Sequence, residues 1–144
     1  MKKDEGYYTL DLAKYIVTKC VNDDCPISNV QLQAILYFIQ IDFLQRDDFA
    51  FFDDFDAVAF GPKIPQIYYY FCGSGGLPIL DTYDNLDDSF KYDVNINRII
   101  EENYSLKSWE LISKVQKSRA WQKTWDNGKG AQNIIPIKLM KDVG

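Results

Sequence analysis

The first regular pattern of apolar positions is Leu12, Ala13, Ile16, Val17, Cys20 and Val21. Steps of one, three and four residues put these side chains on one stripe of a helix. The pattern predicts a helix over 10–21, capped by Thr9 and ended by Asn22-Asp23-Asp24. A second start signal follows at once. Ser28-Asn29-Val30-Gln31 has the form of a capping box, with Ile27 and Leu32 at the two positions of a hydrophobic staple. The body after it, LQAILYFIQIDFL, is apolar on nearly every face, the pattern of a central helix (about 29–45) surrounded by the rest of a domain.

Beyond residue 46 the pattern loosens. DDFAFFDDFDAVAF (47–60) mixes aromatics with aspartates and alternates only in part, which predicts one or two short strands near 50–60. Gly61-Pro62 reads as a rigid turn, and Pro65 as the first residue of a helix running through Tyr68 and Tyr69 to Cys72 and stopping at Gly73. The acidic stretch 81–93 holds at most one turn of helix. Asn95 is the expected cap of a helix over 96–104, with Val94 and Ile99 as its staple. Ser105 is the expected cap of another over 106–117, with Leu106, Trp109, Leu111, Ile112 and Val115 inward. AWQKTWDNG gives a short helix ending at Asn127-Gly128. NIIPIKLMK reads either as a strand near 133–139 or as a helical turn started by Pro136. The expected fold class is therefore mainly α: a single compact domain (1–144) of five to seven helices around the helix at 29–45, with one or two short strands.

Composition narrows the function more than the fold. The chain contains no histidine. That removes Ser-His-Asp and Cys-His catalysis and histidine-ligated zinc or non-haem iron. Carboxylate chemistry survives the filter, but nothing singles out two opposed acids among the many upstream of residue 101. Neither Asp53-Asp54-Phe55-Asp56 nor Asp81, Asp84, Asp87 and Asp88 has the order of a calcium loop. Gly73-Ser74-Gly75-Gly76 lacks the lysine and hydroxyl of a phosphate loop. Cys72, at a helix C-terminus, faces the wrong end of the dipole for an activated thiolate. Tyr68-Tyr69-Tyr70-Phe71 resembles a base-stacking platform, yet successive helical residues point in four directions. No catalytic residue, metal or cofactor is expected.

The net charge of −5 is uneven: residues 1–100 carry 8 basic and 16 acidic side chains, and residues 101–144 carry 8 and 5. An acidic field repels nucleic acid and anionic membranes and suits a basic protein surface. Direct nucleic-acid binding is accordingly not expected. MKKDEGYY has no apolar run behind its lysines, no stretch approaches the length of a membrane span, and Cys20, Cys25 and Cys72 form no C-x-x-C pair. These features predict a cytoplasmic protein with reduced cysteines.

Four segments, in order, resemble a known family. They are the Leu-Asp-Leu-Ala-Lys-Tyr-Ile start; Ile27-Ser28-Asn29-Val30-Gln31-Leu32-Gln33-Ala34-Ile35-Leu36-Tyr37-Phe38-Ile39-Gln40; Asp56-Ala57-Val58-Ala59-Phe60-Gly61-Pro62-Lys63-Ile64-Pro65-Gln66-Ile67-Tyr68; and Leu111-Ile112-Ser113-Lys114-Val115-Gln116 through Trp121. Over about 10–125 the chain is similar to the Panacea, or SocA-like, phage-associated antitoxin domain. The departures are Gln116 where the family has histidine, Val115 for its threonine, Val58 for its tryptophan and Ala120 for its proline. The resemblance implies a mostly helical domain of prophages and mobile elements that neutralises a toxin encoded beside it, in one branch by delivering that toxin to a protease. Gln33, Tyr37, Gln40, Gly61, Pro62, Pro65 and Trp121 are the motif positions for fold or binding. Gln33 and Gln40, on one face of an apolar helix, need partners if buried, and the backbone of the Gly61–Pro65 turn is one source.

The function expected first is a protein-binding module of this antitoxin type, with Asp53, Asp54, Asp56, Tyr68 and Tyr69 as candidate contact residues. The alternatives are an acidic phage-type inhibitor imitating nucleic acid to block a host defence protein, and an enzyme using carboxylates or tyrosine.

Overall fold

The computed structural model describes residues 6–144; the first five residues of MKKDEGYY, read above for a leader, lie outside the described residues. The elements are α1 (Thr9–Asn22), α2 (Asn29–Gln45), a hairpin of β1 (Asp56–Val58) and β2 (Gly61–Lys63), α3 (Pro65–Tyr70), α4 (Ser89–Tyr92), α5 (Val94–Asn103), α6 (Ser108–Val115), α7 (Arg119–Trp125) and α8 (Ile137–Val143). The fold is mainly helical, as the pattern predicts; the described residues form eight helices, one above the expected five to seven when the single turn α4 is included. Among the described residues no helix is long and apolar enough to cross a membrane.

The capping box forms as its sequence requires. Ser28 Oγ accepts from the Gln31 amide at 3.3 Å, and Gln31 Oε1 accepts from the Ser28 amide at 2.7 Å. The helix it starts is the centre of the domain, packed by α1, α5, α6, α8 and β2. Leu32, Ile35, Leu36, Tyr37 and Ile39 are wholly buried in one continuous core. Each such side chain contributes about 1.5–3 kcal/mol by leaving water, which makes α2 the chief source of cohesion.

Helix ends are written largely in aspartate. After α1, Asp24 takes φ 57°, the Cys25 amide donates to Cys20 O at 2.8 Å and the Asp24 amide to Val21 O at 3.1 Å. After α2, Asp47 takes φ 59°, with Asp48 donating to Phe43 O at 2.9 Å and Asp47 to Leu44 O at 3.0 Å. Both are Schellman closures, whose left-handed residue is usually glycine; short polar side chains also tolerate it.

Several boundaries differ from expectation. Thr9 is the first residue of α1 rather than its cap. Asp93, not Asn95, caps α5: its Oδ1 accepts from Asn95 N at 3.1 Å and Ile96 N at 3.0 Å, which leaves Val94 78% exposed and no staple. Ser105 caps nothing; α6 begins at Ser108, behind a Lys107 amide that donates to Glu110 Oε1. The inward face of α6 is set by Leu111 and Val115. Trp109, two residues and about 200° of helical rotation from Leu111, therefore points outward, 65% exposed.

The Pro65 helix ends at Tyr70, and after a 3-10 turn the chain reverses at Gly75 (φ 58°) rather than at Gly73. In 133–139 the helical alternative prevails: Ile134 makes one bridge to Asp56, and Pro136 then leads into α8.

The hairpin corrects another expectation. Val58 pairs with Gly61, so the tight turn is Ala59-Phe60, while Gly61 and Pro62 belong to β2. Glycine is needed at 61 for two reasons. Its φ is +139°, and a β-carbon there would sit 2.9 Å from Val115 Cγ1.

Candidate partner-binding surface

The motif residues of α2 face inward, and its two motif glutamines hold other segments by their backbones. Gln33 Oε1 accepts from the Ile64 amide at 2.8 Å, and Gln33 Nε2 donates to Asn29 Oδ1. Gln40 was expected at the same turn but holds a different segment: its Nε2 donates to Phe51 O at 2.7 Å and its Oε1 accepts from Ala50 N at 2.9 Å. Tyr37 shares a 2.7 Å hydrogen bond with Ser118 Oγ. All three motif side chains are 0% exposed, so they serve the fold. Burial also pushes the Tyr37 phenol up to about 12.

The second half of the motif holds the hairpin tip. Trp121 Nε1 donates to Val58 O at 3.0 Å, and Gln116 Nε2 donates to Ala59 O at 2.9 Å. Gln116 thus supplies a hydrogen-bond donor at the position where the resembled family has histidine.

The candidate contact residues are distributed over two places. Asp53 joins three segments: it accepts from the Thr9 hydroxyl at 2.6 Å and from the Gln66 amide. It therefore has a structural task that the expected contact role did not include. Asp54 is exposed beside it. Asp56 lies elsewhere, on β1 across from Lys63. Partial burial raises its pKa, Lys63 opposes that rise and Asp54 adds to it. Lys63 Nζ sits 5.2 Å from the Tyr68 ring centroid and 5.7 Å from that of Tyr69. Tyr68 also stacks on Phe60, and Tyr69 stays 65% exposed.

A cleft of about 650 Å³ opens at the start of α1. Tyr8, Phe52 and Tyr70 stand at it, exposed by 72%, 54% and 49%. Asp11, Asp53 and Asp87 also line it, together with Gln66, and no lysine or arginine does among the described residues. Three aromatic doublets build it, each dividing its labour. Tyr7 packs on Phe90 at 4.8 Å and donates to Asp93 while Tyr8 faces out. Phe51 is wholly buried while Phe52 faces out, and Phe71 is buried while Tyr70 faces out. Burial and the neighbouring Asp93 carboxylate raise the Tyr7 pKa.

Sequence reading missed Tyr8, Phe52, Gln66 and Tyr70 as one site, because they lie up to about sixty residues apart and no local pattern joins them. The signal that was present is the doublets themselves at 7–8, 51–52 and 70–71. Where two large aromatics adjoin at the edge of a core, both seldom fit inside.

Among the described residues no group of three cysteine, aspartate or glutamate side chains is arranged to hold a metal ion. Cys20, Cys25 and Cys72 are free thiols, and burial followed by the nearby Cys25 pushes Cys20 up to about 12. No family model, curated protein or solved structure matches this chain.

Proposed function

We propose that this chain is a protein-binding module of the antitoxin type, which inhibits a partner by direct contact. The observation that carries the reading is the cleft at the start of α1. Three large aromatics there are left about half exposed or more beside carboxylates, while the buried glutamines of α2 are consumed by internal hydrogen bonds. Exposed aromatics ringed by polar groups are the usual anchors of a protein interface. The resemblance to Panacea domains adds the class of partner: a toxin encoded by a neighbouring gene, either blocked directly or delivered to a protease. Neither role needs a catalytic residue.

The nucleic-acid-mimic reading has less support. Such a surface needs ranks of free acids, whereas Asp93 caps α5, Asp53 ties three segments and Asp42 pairs with Arg46 and Arg98. The decisive experiment co-expresses this chain with the product of the adjacent open reading frame. Rescue of growth together with co-purification is the expected result. A toxic neighbour that the chain neither rescues nor binds sinks the proposal.

A further inference from the structure

Basic side chains fall into two groups along this chain. Between residues 6 and 100 each one is engaged: Lys19, Arg46 and Arg98 by carboxylates, and Lys14, Lys63 and Lys91 by aromatic rings. Residues 111–125 carry four cations and no acid. Lys114 among them lies 4.9 Å from the Phe38 ring centroid and donates to Asn103. Lys117, Arg119 and Lys123 are exposed, and among the described residues none has an ion pair, a ring contact or a side-chain hydrogen bond.

Their placement works against folding. Arg119 and Lys123 are four apart on α7, a spacing at which like charges repel. Lys117 and Arg119 flank the start of that helix, the positive end of its dipole, which disfavours a cation. The end itself is already closed by Ser118, whose Oγ accepts from the Trp121 amide at 3.3 Å, so the charge directed outward is that of the side chains. Local rules broken with no gain inside the fold mark a surface whose use lies outside it.

Trp109 shares this surface. It precedes Gln116 by seven residues, about two turns and about 10 Å along the helix axis, which sets the two on one face. Gln122 Nε2 donates to Gln116 O at 2.8 Å and so ties α7, between Arg119 and Lys123, to that end of α6. The indole is 65% exposed and has no ring contact or hydrogen bond of its side chain among the described residues. The one acid of α6, Glu110, accepts from the Lys107 amide at 3.0 Å.

We propose that the outer face of α6 and α7 receives an acidic segment of the protein partner, with an apolar side chain against Trp109 and carboxylates on Lys117, Arg119 and Lys123. Three unpaired cations supply the complementary charge, and a free indole supplies the kind of anchor that carries interface affinity. Single-stranded nucleic acid is served less well. Successive bases need successive rings, whereas Trp121 and Trp125 stack on each other and leave Trp109 alone. The inference rests on the protein-binding reading and adds to it a second surface, opposite in charge to the α1 cleft.

The test titrates the full chain with a labelled Gly-Glu-Asp-Leu-Phe-Glu-Asp-Gly peptide and with its neutral Gln/Asn counterpart. The acidic peptide is expected to bind, weakening as salt rises, and the neutral one to bind about tenfold or more weakly. Arg119→Glu is the informative variant, because it removes the repulsion from Lys123 and puts an acid at the start of α7. It should lower peptide affinity about tenfold while its thermal midpoint stays at or above that of the wild type. Trp109→Ser should lower affinity about as much with an unchanged circular dichroism spectrum, and Lys91→Glu, on α4, should not. Equal binding of both peptides, or no binding of either, overturns the proposal. So does an Arg119→Glu variant that keeps full affinity, or one whose midpoint falls, which would make that cation part of the fold. Tighter binding of single-stranded DNA than of the acidic peptide also overturns it. The growth assay separates the two levels. If the wild type rescues and an Arg119→Glu/Trp109→Ser double variant rescues equally, this surface fails and the binding function stands. If the acidic peptide binds as described but the chain neither rescues nor co-purifies with a toxic neighbour, the antitoxin reading fails and the surface stands.

Discussion

The face of α2 and the rim of the α1 cleft are built from the same residue types and do opposite things. On α2, Gln33, Tyr37 and Gln40 are wholly buried, and each has a partner inside the chain. At the rim, Tyr8, Phe52 and Tyr70 keep about half or more of their surface in water. A side chain's meaning therefore lies in whether the fold already satisfies it. Amides and phenols that look like chemistry in the sequence are internal fasteners, and the aromatics that look like core are what the domain leaves available.

That contrast can be tested by removing one fastener at a time. The largest effect should come from Gln40→Leu, which strands the Ala50 amide and the Phe51 carbonyl in the interior. Two buried unpaired groups cost together about 3 kcal/mol, read as a lower urea midpoint at unchanged slope. A loss under about 1 kcal/mol would mean that water replaces the amide, and the contrast with the rim would blur.

Gly61→Ala should cost about 2 kcal/mol, combining the positive φ with the approach to Val115. The hairpin tip would shift, and loss of the Trp121 indole hydrogen bond should be visible as a changed indole N–H resonance.

Tyr37→Phe should cost about 1 kcal/mol at neutral pH by losing the bond to Ser118. It also has a pH signature. The buried phenol is pushed from its ordinary 10.0 to about 12, so its neutral form is favoured by folding. The stability this contributes is fully present below pH 10 and is lost as pH rises through about 12. Urea titrations across that range should fall more steeply for the wild type than for Tyr37→Phe, and parallel curves would refute the assignment.

The smallest stability effects belong to the rim. Phe52→Ser and Asp54→Lys should each change folding by no more than about 0.5 kcal/mol. Asp53→Lys, one residue away, should cost about 1 kcal/mol, because Thr9 and Gln66 lose their acceptor. Partner capture by the same proteins would complete the comparison: Phe52→Ser loses binding without losing the fold, and Gln40→Leu loses the fold first.

The sequence was most legible where structure is local. The Ser28–Gln31 box, the all-round apolar α2 and the Pro65 start are each encoded within a few residues. Caps at Asn95 and Ser105 were misplaced because several polar residues compete for each helix start, and the winner is decided by which face the core demands. Trp109 shows the same override, outvoted by Leu111 and Val115. For the candidate surface the limit was distance. Asp53 and Asp54 look equivalent as neighbours, and only the arrival of Thr9 and Gln66 makes one a tie and the other a free charge.

The amide and indole fasteners share a detail that matters over longer times than folding. Gln40 holds Ala50 and Phe51, Gln33 holds Ile64, Gln31 holds Leu106, Trp121 holds Val58 and Gln116 holds Ala59, in every case by main-chain N–H or C=O. Those atoms are the same whatever side chain a residue carries. Mutation can therefore respell much of the outward lettering of these loops while their course through space is kept. If the proposed partner changes, this is an architecture in which the grip is inherited and the message is free to drift.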